Sequence, residues 1–195
     1  NKADIIIVNS HHWNNRLWEL FKLKRTNANV TIIHRVDGPV FIVRGSREQI
    51  LVDKTIIYFN RYIADGTIFQ SDWSKKQCIS IGMDDKKKQI TIMNAPNPNI
   101  FYPAKKPLEY KKIRLIATSW SGNMQKGFDV YQYLDNNLDF SKYEFTFIGN
   151  SPIKFNNIKH IQPLPSKELA NRLREHDLFI TASVNDPCSN SLIDL

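Results

Sequence analysis

Short apolar runs alternate with amphipathic segments along this chain, and the runs are continuous, as in IRLIAT at residues 113–118, rather than apolar at every second position. A strand with apolar side chains on both faces needs cover on both sides, as in a mostly parallel sheet flanked by helices. The pattern predicts strands at residues 5–8, 30–34, 67–70, 90–93, 113–118, 144–148 and 178–181. Between them it predicts helices at 13–24, 47–63, 72–81, 127–138 and 167–176. Ser46 followed by Gln49 has the form of a capping box, and Ser71 and Ser166 stand where caps for the next helices belong. The expected fold class is α/β.

One segment breaks the rhythm. Residues 95–112, APNPNIFYPAKKPLEYKK, hold four of the nine prolines and four lysines, and the strand–helix alternation restarts at Ile113. Proline density makes such a stretch extended and semi-rigid, so it reads as a linker. The expected boundary lies near Lys105, with domains at 1–104 and 105–195. Ligands of open parallel sheets sit beyond the carboxyl ends of the strands, which singles out the loops after Val8, Ile33, Thr118, Ile148 and Ala182.

A balance of 27 Lys plus Arg against 19 Asp plus Glu gives +8, which favours anionic partners. The basic residues are scattered and form no aromatic-interleaved stripe, so nucleic acid is not the expected partner. Cys78 and Cys188 lie far apart in unrelated contexts, which gives neither a disulfide framework nor metal-ligand spacing and fits a reducing, cytoplasmic setting. No apolar run approaches the roughly 18 residues that span a bilayer, and the opening NKADIIIVNS lacks the features of a signal peptide. The chain begins without methionine and stops about six residues into an apparent helix, so it reads as a fragment cut at both ends.

Phosphate-binding fingerprints are absent. Gly122 and Gly127 have the gap of a P-loop, but Lys126 precedes the second glycine instead of following it. No two of the seven glycines stand two apart, which excludes GxGxxG. Lys126 nevertheless sits where a strand hands over to a helix, where an ammonium can meet a diphosphate in a contact worth about 1.5–3 kcal/mol. A solvated lysine at a helix start is the plainer alternative. The last loop, DPCSNSLID, places Ser189, Asn190 and Ser191 at a helix start, between Asp186 and Asp194. Such a helix start attracts anions through its N–H groups and dipole, although Ser189 also suits simple capping. His34 ends a predicted strand and opens HRVDGP, where a neutral imidazole can donate to a substrate, or merely bond to backbone. Adjacent His11 and His12, with His160 and His176 isolated, suggest no metal site.

These residues resemble glycosyltransferase family 4, the group 1 glycosyltransferases of the GT-B fold, over nearly the whole chain. The family's lysine–glycine pair and E-x7-E motif are matched by Lys126–Gly127 and by Asp186-x7-Asp194, in the same order. Its strand-ending histidine is matched by His34, and its interdomain NGVD…F.P stretch by NAPNPNIFYP at 94–103. The resemblance implies two Rossmann-like domains with mostly parallel sheets, both incomplete here, and a retaining transferase that needs no metal or other cofactor. It moves a sugar from a nucleotide-sugar donor to an acceptor hydroxyl in glycan, polysaccharide or glycolipid biosynthesis.

By that resemblance Lys126 binds the donor diphosphate, which backbone N–H groups around Asn190 and Ser191 cradle. Asp186 holds hydroxyls of the transferred sugar, Cys188 and Ser189 approach it through backbone, Asp194 takes the ribose hydroxyls, and His34 is a positioning donor. The acceptor is a glycan or a lipid-linked molecule, and the positive charge suits peripheral docking to an anionic membrane face. Departures are specific. Both family glutamates are aspartates, Ser189 replaces the usual glycine, and Ser121 stands where the family has a second diphosphate cation. A non-catalytic nucleotide-sugar or glycan-binding relative is the alternative they raise.

Overall fold

The computed structural model describes residues 3–9, 17–104 and 111–193, without the side chain of Ser191. The chain forms two compact units, Asn1–Asn94 and Ala95–Leu195. In the first, β1 (Ile5–Asn9), β2 (Thr31–Val36), β3 (Gly66–Phe69) and β4 (Lys88–Thr91) pair in parallel in that order. The connections are α1 (Leu17–Thr26), then α2 (Val40–Arg44) with α3 (Ile50–Tyr62), then α4 (Asp72–Ser80).

Burial in this first sheet alternates instead of running continuously. Ile32, His34 and Val36 of β2 are buried, whereas Ile33 and Arg35 between them are only half-buried. The buried face receives Leu20 and Phe21 from α1, Ile56 and Phe59 from α3 and Cys78 from α4. Ile5, Ile7 and Ile90 on the other face are more than half exposed. Two-sided cover, expected for every strand, is therefore corrected here. Strands added in one direction through right-handed connections carry those connections on the same face.

Capping follows the sequence at one of three positions. Ser71 Oγ accepts from the Ser74 N–H at 3.0 Å and starts α4 as expected. The Ser46 hydroxyl makes no capping bond, and residues 47–49 form a 3-10 turn before α3 begins at Ile50. Asp53 of α3 instead reaches back to accept from Val40 N–H at 2.7 Å and Phe41 N–H at 3.0 Å. A tertiary carboxylate thus satisfies the first orphan donors of α2, a helix too short for its sequence to announce. Lys87 Nζ closes the other end of α3, donating to the carbonyls of Asn60, Arg61 and Ala64 at 2.6–2.8 Å.

His34 is placed otherwise than expected. It lies two residues inside β2 rather than at its end, with no exposed surface, and its ring meets Phe59 edge-on at 4.9 Å. Asn60 Nδ2 stands 3.3 Å from its Nδ1 and donates to Thr67 Oγ1 at 2.7 Å. In this structure the ring is packed in the interior of the first unit. Burial first, and the nearby Lys87 charge second, push its pKa down to about 3. The unfolded chain therefore takes up this proton below about pH 6.5 while the folded chain stays neutral, and stability falls as pH drops through that window. His176, lowered mainly by burial, acts in the same direction. Urea unfolding should give a stability about 2 kcal/mol lower at pH 5 than at pH 7, and His34→Gln should flatten the slope.

In the second unit β5 (Ile113–Ser119), β6 (Tyr143–Gly149), β7 (Lys159–Ile161) and β8 (Leu178–Phe179) form a parallel sheet in the order β7-β6-β5-β8. Its helices are α5 (Phe128–Asn137), α6 (Ser166–Arg174) and α7 (Asn190–Ile193). Here β5 and β6 are buried along nearly their whole length, as the continuous apolar runs predict. Leu115, Phe145 and Phe147 from the sheet pack with Phe128 and Tyr131 of α5 and with Phe155. The unpredicted β7 has three residues, two of them exposed, so it leaves almost no apolar signal. Ser166 is the first residue of α6, whose cap position is Pro165 without a side-chain bond. Residues 100–102 of the expected linker lie against this unit, since Arg174 donates to the Ile100 carbonyl at 3.1 Å and stacks over the Tyr102 ring at 4.2 Å. Among the described residues no helix is long and apolar enough to cross a membrane.

Candidate functional site

The strand order of the second sheet reverses at β5. From it, β6 and β7 extend one way and β8 the other. The helices after β5 and β8 therefore depart on different sides, and the crevice between them lies beyond the strands' carboxyl ends, where parallel sheets bind ligands.

The chain leaving β5 is pinned residue by residue. Gly149, at φ 132°, packs so closely that a Cβ there would lie 1.8 Å from the Ser119 carbonyl oxygen. Asn150 donates from its backbone to that oxygen at 3.0 Å and from its side chain to the Trp120 carbonyl at 2.6 Å. Asn123 then caps a 3-10 turn at Met124–Lys126, its side chain accepting from the Gln125 N–H at 2.9 Å. Gly127, at φ 84°, switches the chain from that turn into α5.

The chain leaving β8 is fastened to the first loop. Beyond Phe179 it quits the predicted strand, and the Ala182 N–H donates to Tyr131 Oη at 3.2 Å. Val184 N–H donates to the Gln125 carbonyl at 2.8 Å, and Ala182 lies where any Cβ on Gly127 would be. Asn185, at φ 56°, then turns Asp186 inward. Lys126 Nζ donates to Asp186 Oδ2 at 2.7 Å, with 29% and 15% of these side chains exposed. The other carboxylate oxygen, Oδ1, accepts from the Cys188 N–H at 3.3 Å.

Together the two loops enclose a polar cavity of about 170 Å³. Of the residues singled out in the sequence, Ser121, Lys126, Asp186, Cys188, Ser189 and Asn190 line it. Gly127 stands behind it, setting the position of Lys126, and Ser191 follows Asn190 in α7. Asp194 lies outside the described residues, and His34 belongs to the first unit. Thr118, Ser119, Trp120 and Ser183 also line the cavity and were missed, although the loops after Thr118 and Ala182 were marked by the strand-end rule. A neighbouring cavity of about 200 Å³ shares Trp120 and Asn190 and adds the apolar walls Ile148, Pro163, Leu164 and Leu169.

Among the described residues lining the polar cavity, Lys126 is the one cation. An ammonium carries three N–H donors and the ion pair with Asp186 uses one, so Lys126 can bridge the carboxylate and an incoming anion. Hydroxyls and amides from the other walls suit a ligand rich in oxygen. Among the described residues no group of three His, Cys, Asp or Glu side chains is placed to hold a metal ion.

No protein-family model matches the chain, and no curated protein sequence matches it. Solved structures do. HepE of Anabaena in complex with UDP-glucose superimposes with a TM-score of 0.70 at 12% identity, over 98% of this chain and 56% of that one. The trehalose-6-phosphate protein of E. coli bound with UDP-2-fluoro glucose gives 0.65 at 11% identity, over 100% and 55%. TarM gives 0.64 at 15% identity, over 94% and 37%. The chain spans about half the length of the first of these structures. At such identities the likeness speaks for the fold alone, and the fold is that of GT-B glycosyltransferases, with parallel sheets in a mixed α/β arrangement.

Proposed function

We propose that this chain is part of a retaining, metal-independent glycosyltransferase that moves a sugar from a nucleotide-sugar donor to an acceptor hydroxyl of a glycan or lipid-linked molecule. One observation carries the reading. Lys126 and Asp186, 60 residues apart in sequence, meet in a polar cavity at the switch point of a parallel sheet. A cation beside an acid is what a ligand with a phosphate middle and a hydroxylated end requires.

In this reading Lys126 and the backbone N–H groups near Asn190 and Ser191 hold the diphosphate, and Asp186 takes hydroxyls of the transferred sugar. Cys188 and Ser189 border that sugar through their backbone, Asp194 serves the ribose, and the apolar neighbouring cavity receives the nucleoside. The bond from the anomeric carbon to the phosphate oxygen breaks while the acceptor oxygen bonds to the same face of that carbon. The acceptor proton passes to the departing phosphate. Negative charge grows on the diphosphate during this step, so a fixed ammonium and aimed N–H dipoles stabilise the transition state more than the ground state. Preorganisation by the pinned loops supplies that positive charge without a divalent cation.

Ser121 favours a second reading, a binding protein without turnover, because it offers a hydroxyl where the resembled family carries a cation. Calorimetry against a panel of nucleotide sugars tests the site. Lys126→Ala should weaken the bound member about 10- to 150-fold, the loss of one charge-assisted contact. A panel in which no nucleotide sugar binds, or in which Lys126→Ala binds as well as the parent, removes the proposal. Radiolabelled turnover by the longer protein that carries this chain separates transfer from binding alone.

A further inference from the structure

Trp120 stands on the loop that leaves β5 and is 78% exposed, although tryptophan is among the residues that folding usually takes largely out of water. Among the described residues no aromatic ring or guanidinium stacks on it. Its backbone, in contrast, is held on both sides. The Trp120 carbonyl accepts from Asn150 Nδ2 at 2.6 Å, and the Ser119 carbonyl accepts from the Asn150 N–H at 3.0 Å. Ser119 Oγ donates to the Ser121 carbonyl at 2.7 Å, and Ser121 Oγ accepts from the Asn123 N–H at 3.2 Å. A large planar side chain thus stands in solvent on a fixed mount.

Its place narrows what that side chain can meet. The polar cavity of about 170 Å³ and its neighbour of about 200 Å³ share Thr118, Ser119, Trp120 and Asn190, so they are two compartments of one crevice with Trp120 between them. One compartment holds Lys126, and the other is walled by Ile148, Pro163, Leu164 and Leu169. Among the described residues lining either one, Trp120 is the one aromatic. A ligand that fills both needs an anionic end and a flat end of low polarity. A nucleoside diphosphate is divided in that way, with phosphates for the ammonium and a heterocycle for the aliphatic walls and the indole. A pyranose also has an apolar face, but its rim of hydroxyls would meet aliphatic walls that offer them no partner.

We infer that the indole of Trp120 is the stacking platform for the nucleobase of the donor, an inference that rests on the nucleotide-sugar reading above. Stacking uses the π face that every base has, so it holds the heterocycle without choosing among bases. The polar edge of the base stays free to meet water or backbone while its face is covered. Because the peptides on either side of Trp120 are already fixed, the loop gives up little freedom when the ligand arrives, and more of the contact appears as affinity. Lys126 and Trp120 then divide the work, the first holding phosphate and the second holding the base.

Calorimetry with UDP, GDP and inorganic pyrophosphate tests this division on the parent chain and its variants. Trp120→Ala removes a side chain outside the core and should weaken whichever of UDP and GDP the parent binds about 5- to 150-fold, while leaving pyrophosphate unchanged. Trp120→Phe should recover most of that loss, because a smaller ring still stacks. Lys126→Ala should weaken pyrophosphate as well. Fluorescence reads the contact directly. Trp13, Trp18 and Trp73 all precede the second unit, so the nucleotide should quench emission of the parent and leave that of Trp120→Phe unchanged even though this variant binds. Trp120→Ala binding the nucleotide like the parent, or losing pyrophosphate by the same factor, overturns the inference and leaves the nucleotide-sugar reading standing. A loss for UDP-glucose without one for UDP also overturns it, by setting the indole against the sugar. So does parent emission that saturating nucleotide leaves unchanged, a result that needs no variant. A parent that binds no nucleotide removes the reading itself, and the inference with it.

Discussion

Gly127→Ala is expected to destabilise the second unit by about 3–5 kcal/mol and to take the proposed nucleotide-sugar affinity down with it. Two independent effects add. The residue sits at φ 84°, a left-handed conformation that costs a side-chain-bearing residue about 1–3 kcal/mol. Its Cβ would also stand 2.3 Å from the Ala182 Cβ and 2.4 Å from the Ala182 carbonyl oxygen, far inside contact distance. Those atoms belong to the segment that delivers Asp186, so the relaxation that admits a methyl group also parts Lys126 from its partner. Gly122→Ala is the control, because the nearest atoms to its Cβ, both of Pro152, lie at 3.8 Å. Its stability should change by less than about 0.5 kcal/mol. Adding Ala182→Gly to Gly127→Ala removes the side-chain clash but leaves the carbonyl one, and should restore part of the loss. Chemical denaturation of the four proteins measures all of this. A Gly127→Ala protein as stable as the parent would mean that the two loops are not in contact as described.

What the sequence shows of this candidate site is several of the side chains that gather there, and what it hides is the scaffolding that brings them together. Lys126–Gly127 and Asp186 are legible because a lysine before a glycine at a strand exit, and an acid before a small polar helix start, are local patterns. The continuous apolar runs of β5 and β6 are legible for the same reason. His34 misleads because HRVDGP looks locally like a strand ending in a turn. Pairing of Thr31–Val36 with neighbours on both sides draws Arg35 and Val36 into the sheet, and the ring then packs beside Asn60 and Phe59, some 25 residues later. Trp120 and Ser183 become site residues only because β8 pairs with β5, a contact between segments more than 60 residues apart. The capping box at Ser46 does not form: residues 47–49 make a 3-10 turn, α3 begins at Ile50, and the side chain that caps a helix here is Asp53, which reaches α2 through space. In each case a long-range contact outweighs a local preference.

The same contrast makes Asp135 the place where a single exchange should do most harm away from the cavity. It sits on the buried face of α5 with no exposed surface, and its carboxylate accepts three successive backbone N–H groups. Asn156 donates at 2.8 Å to one oxygen, and Asn157 at 2.8 Å and Ile158 at 2.7 Å to the other. Burial alone would raise its pKa, but the three N–H donors outweigh it and hold the carboxyl below the usual range. These bonds fix the turn that inserts Phe155 and Ile158 into the aromatic core and leads into β7. Asp135→Ala leaves three backbone donors without their acceptor, the Ile158 N–H in the interior and those of Asn156 and Asn157 at its margin, for a loss of about 3–5 kcal/mol. Asp135→Asn keeps the shape but presents an amide N–H₂ to the same donors, and should cost about 2–3 kcal/mol. The two states bind protons differently, which gives a second readout. Because the folded pKa is depressed, the contribution of the carboxylate is complete above about pH 4 and is lost as pH falls toward the folded value. Asp65 and Asp177, depressed as well, keep some acid sensitivity in every variant. Denaturant midpoints should therefore fall less steeply below pH 4 for Asp135→Asn than for the parent. Parallel pH profiles would show that the carboxylate is not bonded in the folded chain.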